Sequence, residues 1–175
     1  GLIGSQAYAD RLVLQNPPPT IIAGYVLEMI GFSSEDPNSQ MIPAGFDLLF
    51  PDAIEQIAAN DNRGDFITVI HDVYSRTSAK NILRYGDVLG LPVVTLVVAD
   101  ALKNEAVAAD LRRSDHAAFW FHNMAAMMLT DTANFRNNHY HCGDGADALS
   151  TINFDFALKN VRAFVGAAAT DLGVR

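Results

Sequence analysis

Two apolar runs separated by one amphipathic helix constrain this fold more than any other feature of the sequence. The runs "GDFITVIHD" (64–72) and "LPVVTLVVAD" (91–100) are short and rich in β-branched residues, which predicts two buried strands. Between them, "SRTSAKNILRYGDVLG" (75–90) has apolar residues at helical spacing and ends at Gly90. This order of strand, helix and strand favours a parallel pair of strands covered by the helix.

The rest of the chain extends the alternation. Apolar segments at 20–32 and 125–131 predict two more strands, and helices are predicted within 4–16, 114–124 and 147–173. Residues 33–62 are rich in Ser, Asp, Asn, Pro and Gly, which indicates a long loop with one helical turn near "PDAIEQIAAN" (51–60). We therefore expect residues 1–175 to form a single α/β domain with a largely parallel sheet covered on both faces.

Composition excludes several classes of function. The net charge of −8 argues against nucleic acid and against an anionic membrane surface as partners, because both attract Lys and Arg. No apolar run approaches the roughly 20 residues that span a bilayer, so we expect a soluble protein. The single cysteine, Cys142, rules out an internal disulfide. The first residues, "GLIGSQAYADRL", do not resemble a signal peptide; the compartment stays open, and the chain reads as if it begins within a longer one.

Ligand sites of parallel sheets lie beyond the carboxyl ends of the strands, where this chain has several polar side chains. Glu28 ends an otherwise apolar strand, and an unpaired buried carboxylate costs several kcal/mol, so we expect a cation beside it. That cation is either a Lys or Arg side chain or a metal ion. The sequence alone favours neither.

The loop "TDTANFRNNHYHCGDG" (130–145) carries three further candidates after the last strand. His141 is suited to metal ligation or to simple exposure, and Tyr140 either donates a hydrogen bond to a developing oxyanion or packs. His139 is consistent with a surface position. Cys142 is a weak candidate nucleophile, because adjacent residues seldom point at each other.

Asp115 and His116 open a predicted helix for which Ser114 is the expected N-cap. Asp115 is suited to the helix dipole. The sequence contains no HExxH, GxSxG, P-loop or CxxC motif, so several hydrolase and nucleotide-binding classes lack their usual residues.

Taken in order, "VLEMIGF", "GDFITVI", "RRSDHAAFW", "MLTDTANFRNNHYH" and the last helix resemble the di-zinc aminopeptidase family, metallopeptidase family 28, which includes the glutaminyl cyclases. The resemblance implies a three-layer α/β sandwich with a mostly parallel mixed sheet, of the zinc-exopeptidase type. It also implies two zinc ions and hydrolysis of the N-terminal residue of peptides. Glu28 would hold one zinc, His141 would hold the other, and Tyr140 would stabilise the tetrahedral intermediate. Asp115 and His116 would lie next to these ligands and orient them without binding the metal. Phe119, Trp120 and Phe135 are candidates either for a specificity pocket or for the core.

The chain departs from the family pattern at its start. The family commonly has a Glu-Glu pair before "GLxGS", which supplies the general base and a zinc ligand, whereas this chain begins at "GLIGS". A His and a bridging Asp are expected further upstream. The resemblance therefore covers only the C-terminal portion of the fold, with two of five ligands and no general base, and we expect zinc to bind poorly to this chain alone.

Two other functions remain open from the sequence. One is a non-catalytic scaffold or assembly protein that retains the fold, and the other is a glutaminyl-cyclase-like enzyme. The expected partners are a peptide substrate and either the missing N-terminal half or another copy of the chain, because truncation exposes strand edges and apolar surface.

Overall fold

The computed structural model describes residues 2–174 and shows a mixed α/β fold around one four-stranded sheet. The strands, in the spatial order β1-β4-β2-β3, are β1 (Gly24–Leu27), β2 (Ile67–Asp72), β3 (Val93–Val98) and β4 (Ala126–Thr130). The four predicted strands are all present. β1 is much shorter than the predicted 20–32, and it is only half-buried because it lies at an edge of the sheet.

Strand directions decide where polar side chains gather. β1 pairs with β4 in parallel and β2 pairs with β3 in parallel, whereas β2 and β4 are antiparallel. Two of the three pairings are thus parallel, as the alternation predicts. The antiparallel pairing splits the carboxyl ends between two edges of the sheet, so β1 and β4 end at one edge and β2 and β3 end at the opposite edge.

The described residues form six α-helices: α1 (Ile3–Val13), α2 (Phe46–Leu49), α3 (Pro51–Ala59), α4 (Arg76–Leu89), α5 (His116–Phe121) and α6 (Phe154–Asp171). Short 3-10 turns cover Ala106–Arg112, Ala133–Phe135, Tyr140–Cys142 and Leu149–Thr151. The predicted loop at 33–62 contains two helices, α2 and α3, in place of one helical turn. No helix in residues 2–174 has the length and hydropathy needed to cross a membrane.

Local chemistry explains where several helices begin and end. Pro51 occupies the first turn of α3, where its missing N–H costs nothing. Gly90 ends α4 with φ at 61°, a left-handed conformation that glycine adopts without strain. The Asn153 side chain caps α6 by accepting a hydrogen bond of 3.0 Å from the backbone N–H of Phe156.

Alternation along the strands separates the core into two clusters, one on each face of the sheet. Ile70, Leu96 and Met128 belong to the cluster that includes the residues of α2 and α3, together with Trp120 from α5. Val69 and Leu129 belong to the other cluster, which includes residues of α4 and α6. Burial of both faces is what makes the strands nearly continuous apolar runs in the sequence.

A cluster of one lysine and two aspartates lies at the sheet edge where β2 and β3 end. Lys103 is fully buried, and its Nζ lies 3.0 Å from Asp72 Oδ2 and 2.9 Å from Asp100 Oδ1. Asp72 Oδ1 also accepts hydrogen bonds from the backbone N–H and the hydroxyl of Ser75. These contacts compensate for the removal of the charges from water and fix the loops that follow both strands.

Candidate functional site

An apolar cavity of about 80 Å³ lies at the edge where β1 and β4 end. Its floor is the sheet face that carries Thr68, Ile70 and Met128, and its opposite wall comes from α2 and α3. Residues from three separate loops line it as well: Glu28, Gln40, Arg113, Thr132, Phe135 and Tyr140. Glu28 and Tyr140, which the sequence places far apart, therefore share one cavity.

Glu28 is placed by the end of β1. Its backbone N–H still pairs with the carbonyl of Leu129 at 3.0 Å, while its half-buried side chain faces the cavity. Glu28 Oε2 accepts a hydrogen bond of 2.8 Å from the hydroxyl of Ser114, which is itself buried. No Lys, Arg or His forms an ion pair with Glu28 within residues 2–174, so the expected protein cation is not found there and a hydroxyl takes its place.

Ser114 corrects the prediction for α5. The sequence predicts Ser114 as the N-cap, but Asp115 occupies that position and the Ser114 side chain is committed to Glu28. The same small hydroxyl is suited to either role, so composition alone did not distinguish them.

The loop after β1 is held by a buried carboxylate from the end of β4. Asp131 Oδ2 accepts hydrogen bonds from the backbone N–H groups of Gly31 at 3.1 Å and Phe32 at 2.8 Å, and Oδ1 accepts one from Ala133 at 3.0 Å. Burial raises the pKa of Asp131 above its ordinary value, although these N–H groups and Arg136 act in the opposite direction. Asp131 thereby ties the backbone three residues beyond Glu28 to the loop that follows β4.

Arg136 anchors the second half of that loop. Its Nε donates to Gln40 Oε1 at 2.9 Å and its Nη1 donates to the carbonyl of Phe66 at 2.8 Å. Gln40 Oε1 also accepts from Thr132 Oγ1 at 3.1 Å. Burial lowers the pKa of Arg136 to about 10, which leaves the guanidinium charged at neutral pH. Gln40, Thr132, Arg113 and Arg136 were not among the predicted site residues, since none stands at a periodic position or at one to which the family resemblance assigns a role.

Tyr140 and His141 follow on this anchored loop. The rings of Tyr140 and His141 are edge to face with centroids 4.2 Å apart, and the guanidinium of Arg113 lies 5.7 Å from the Tyr140 ring. His141 is exposed, has a left-handed backbone with φ at 54°, and does not line the cavity. The structure thus brings Tyr140 and Glu28 to one cavity and places His141 beside Tyr140 at its outer side.

The remaining candidates lie further away. Asp115 is exposed, whereas His116 is fully buried behind Ser114, with Nε2 2.8 Å from the carbonyl oxygen of Leu111. Burial lowers the pKa of His116 to about 4, so the imidazole is neutral at pH 7. The ring of His139 lies 3.0 Å from the carbonyl oxygen of Ala146, on the flank of the loop. Cys142 is exposed, with no disulfide partner within residues 2–174.

The three candidate pocket aromatics have different positions. Phe135 lines the cavity. Trp120 is fully buried in the core and donates from Nε1 to the carbonyl of Ala126 at 2.8 Å, and Phe119 packs against the same core cluster and the ring of Tyr8. One aromatic is therefore available to a bound molecule, and two have packing roles.

Donor atoms for a metal are too few in this part of the protein. Residues 2–174 contain no group of three His, Cys, Asp or Glu side chains arranged to hold an ion. Catalytic zinc sites use about three protein ligands. Glu28 and His141 alone do not constitute such a site.

Comparison with known proteins relates this arrangement to a peptidase fold. No protein-family model matches the sequence. The uncharacterized protein YfbL of Escherichia coli K12 is 34% identical over 150 residues, which are 85% of this chain and 40% of YfbL. Two crystal structures of LapA from Legionella pneumophila, an aminopeptidase, match all of this chain with TM-scores of 0.55 and 0.56, at 18% and 17% identity. The chain spans 37–38% of those LapA chains.

The protein shares the fold of part of an aminopeptidase. At this level of identity the likeness establishes the fold alone, and the sequence-based expectation of a partial aminopeptidase-like α/β fold is confirmed to that extent. The chain spans well under half of each of these proteins.

Proposed function

We propose that residues 1–175 are the C-terminal portion of one catalytic domain, that of a zinc-dependent aminopeptidase with the three-layer sandwich of the di-zinc exopeptidases. One observation carries the proposal. Glu28 and Tyr140 line a common apolar cavity beyond the carboxyl ends of β1 and β4, where the family resemblance requires a metal ligand and a hydrogen-bond donor. The fold shared with part of LapA supports it independently.

The cavity is suited to the side chain of an N-terminal residue. Its volume of about 80 Å³ is about half that of the ~150 Å³ engineered cavity that binds benzene, so it accommodates an aliphatic side chain and not an indole. Ile54, Ile57 and Met128 give its inner part an apolar lining, against which a charged side chain would lose hydration. We infer a preference for small and medium-sized apolar N-terminal residues.

The polar groups at the cavity have separate tasks in this proposal. The phenol of Tyr140 donates a hydrogen bond to the scissile carbonyl oxygen as negative charge develops there. The Ser114 hydroxyl fixes one oxygen of Glu28, which orients the carboxylate and leaves its second oxygen available. Asp131 and Arg136 keep the two loops together, so Glu28 and Tyr140 keep their relative positions.

In this proposal a zinc site is complete only with further ligands from outside these 175 residues. Glu28 and His141 provide one donor each, and a complete site requires further donors and a general base. Two zinc ions, when bound, would supply an activated water molecule. The expected partners are a peptide substrate and the polypeptide that completes the site, or another copy of the chain.

A non-catalytic scaffold is the second candidate, and the lack of a three-donor group within residues 2–174 favours it. Under this alternative the fold is retained for assembly. It predicts that no upstream polypeptide supplies the missing ligands.

The deciding experiment begins with the coding sequence upstream of Gly1. The enzyme proposal predicts a Glu-Glu pair directly before Gly1, with a His and an Asp further upstream. The longer chain should then bind two zinc ions and hydrolyse leucine p-nitroanilide. His141→Ala should lower turnover at least about 100-fold and reduce the zinc content, since it removes one of few ligands.

His139→Ala is the matched control, because His139 is a neighbouring loop imidazole that faces the loop backbone. Its turnover should stay within a few-fold of the unmodified protein. An inactive, zinc-free longer chain would support the scaffold, and full activity in His141→Ala would refute the ligand assignment.

A further inference from the structure

The last helix, α6, is apolar on two opposite faces. Its inner face buries Phe156, Ala163 and Ala167 against the sheet and α4. Its outer face exposes Phe154 at 61%, Val165 at 55% and Leu172 at 74%, together with Leu158 and Val161. A second apolar face, opposite the one packed on the sheet, is normally covered by a partner, so this outer face should have one.

Four of the five exposed side chains form a continuous stripe, and Leu172, the C-cap residue of α6, lies two turns beyond Val165 in line with it. Leu158, Val161, Val165 and Leu172 follow Phe154 by 4, 7, 11 and 18 residues. At about 100° per residue, all five lie within roughly 60° of one another on the helix surface. Steps of four and three residues are the spacing of a helix that packs along another helix. We call these five residues the α6 stripe.

We propose that the α6 stripe is a docking surface for a second copy of this chain, with the two α6 helices antiparallel about a two-fold axis. If Leu158 faces Val161 of the second copy, Phe154 faces Val165 of the second copy in the same register. A two-fold axis makes each of these contacts twice, so Phe154, Leu158, Val161 and Val165 form a self-complementary set. Leu172 lies at the end of this interface, beyond the start of α6 in the second copy.

Charge placement supports a second copy over an unrelated partner. Asp155 and Arg162 are both exposed, lie on the same side of the stripe, and form no ion pair with each other or with any other residue in 2–174. In the antiparallel register, Asp155 lies within two residues, about 3 Å along the axis, of Arg162 in the second copy. The symmetry repeats this pairing of opposite charges on the other half of the interface.

The proposed interface does not involve the candidate cavity. The α6 stripe points away from the sheet, whereas the cavity with Glu28 and Tyr140 lies beyond the strand ends on the face covered by α2 and α3. Because five side chains per copy make a small interface, we expect a dimer that dissociates at micromolar concentrations.

Sedimentation velocity of the 175-residue chain between about 1 and 100 μM tests the proposal. The unmodified protein should shift from monomer to dimer over this range. Val165→Asp should keep it monomeric throughout, because it places two carboxylates in the apolar seam. Val88→Asp is the matched control, since Val88 is 78% exposed on α4 and lies outside the stripe. It should dimerise as the unmodified protein does.

Charge reversal tests the register and separates a second copy from other occupants. Asp155→Arg and Arg162→Asp should each weaken dimerisation at least tenfold by placing like charges together. The double variant restores opposite charges and should dimerise within about threefold of the unmodified protein. A monomer at 100 μM overturns the proposal, as does a dimer that Val165→Asp leaves intact or a double variant as weak as the single ones. Circular dichroism of each variant should show unchanged helix content, so that a monomeric result reports the interface.

Discussion

Asp131→Asn is expected to destabilise the protein by about 2 kcal/mol and to loosen the loop beside Glu28. The native carboxylate accepts two backbone N–H groups on Oδ2 and one on Oδ1. An asparagine has one acceptor oxygen, so its NH2 group must face at least one of these donors. In the better orientation the oxygen keeps Gly31 and Phe32, and the amide faces the N–H of Ala133.

The magnitude follows from opposing contributions. One buried donor without an acceptor costs about 1–3 kcal/mol, and the two remaining bonds weaken by roughly 0.5–1 kcal/mol each when the acceptor loses its charge. Burial of the charged carboxylate is unfavourable and raises the pKa of Asp131. A neutral asparagine does not have this cost, which offsets part of the loss. The net expectation of about 2 kcal/mol is therefore well above the ±0.5 kcal/mol typical of surface substitutions.

Urea unfolding at pH 7 measures the change in stability, and amide hydrogen exchange locates it. Protection of the Gly31 and Phe32 amides should fall in Asp131→Asn more than that of the sheet amides. Asp144→Asn makes the same chemical change at an exposed position of the neighbouring loop and should leave both quantities unchanged. A loss below about 0.5 kcal/mol, or unchanged protection at Gly31 and Phe32, would show that Asp131 does not hold the loop.

Three other predictions concern buried charge, pH and the cavity. Lys103→Met should cost about 3–5 kcal/mol in urea unfolding, because it leaves the fully buried Asp72 without its cation; a loss under 1 kcal/mol contradicts this. The folded pKa of His116, about 4, is below its unfolded value near 6.5, so the unfolded state takes up the proton first and stability should fall by about 3 kcal/mol between pH 6.5 and pH 4. His116→Gln should flatten that part of the stability curve, and an unchanged curve rules out His116 as its source. In the completed enzyme, Tyr140→Phe should lower turnover about 100-fold with little change in stability, and equal turnover would exclude Tyr140 as a hydrogen-bond donor.

Sequence patterns were sufficient for the elements whose side chains obey one periodicity. β2, α4 and β3 were predicted from apolar spacing and from Gly90, and the structure has all three close to the expected bounds. The direction of β4 could not be predicted from the sequence. Its antiparallel pairing with β2 depends on the path of the connection of more than twenty residues between β3 and β4. α2 was missed and α3 was predicted only as one helical turn, because turn-forming residues surround them.

In the candidate site, too, residues with a local sequence pattern were predicted and residues placed by tertiary contacts were not. Glu28 was identifiable because a carboxylate at the end of an apolar strand needs a partner, and Tyr140 because its segment carries a family resemblance. Ser114 was assigned to a helix cap because a serine before a helix is usually one, and only the fold shows that it faces Glu28. Arg136 and Gln40 meet across 96 positions of sequence, a contact that no local pattern reports.

In the proposed function, the cavity lined by Glu28 and Tyr140 receives the side chain of a peptide N-terminus. Methyl NMR of the 175-residue chain, titrated with leucine amide to tens of millimolar, tests it directly. Met128 lines the cavity and Met127 packs on the opposite face of the sheet, so the two adjacent methyl groups form an internal control. We expect a saturable shift at Met128 and Ala133, with Met127 unchanged. No shift at Met128, or an equal shift at Met127, would contradict it.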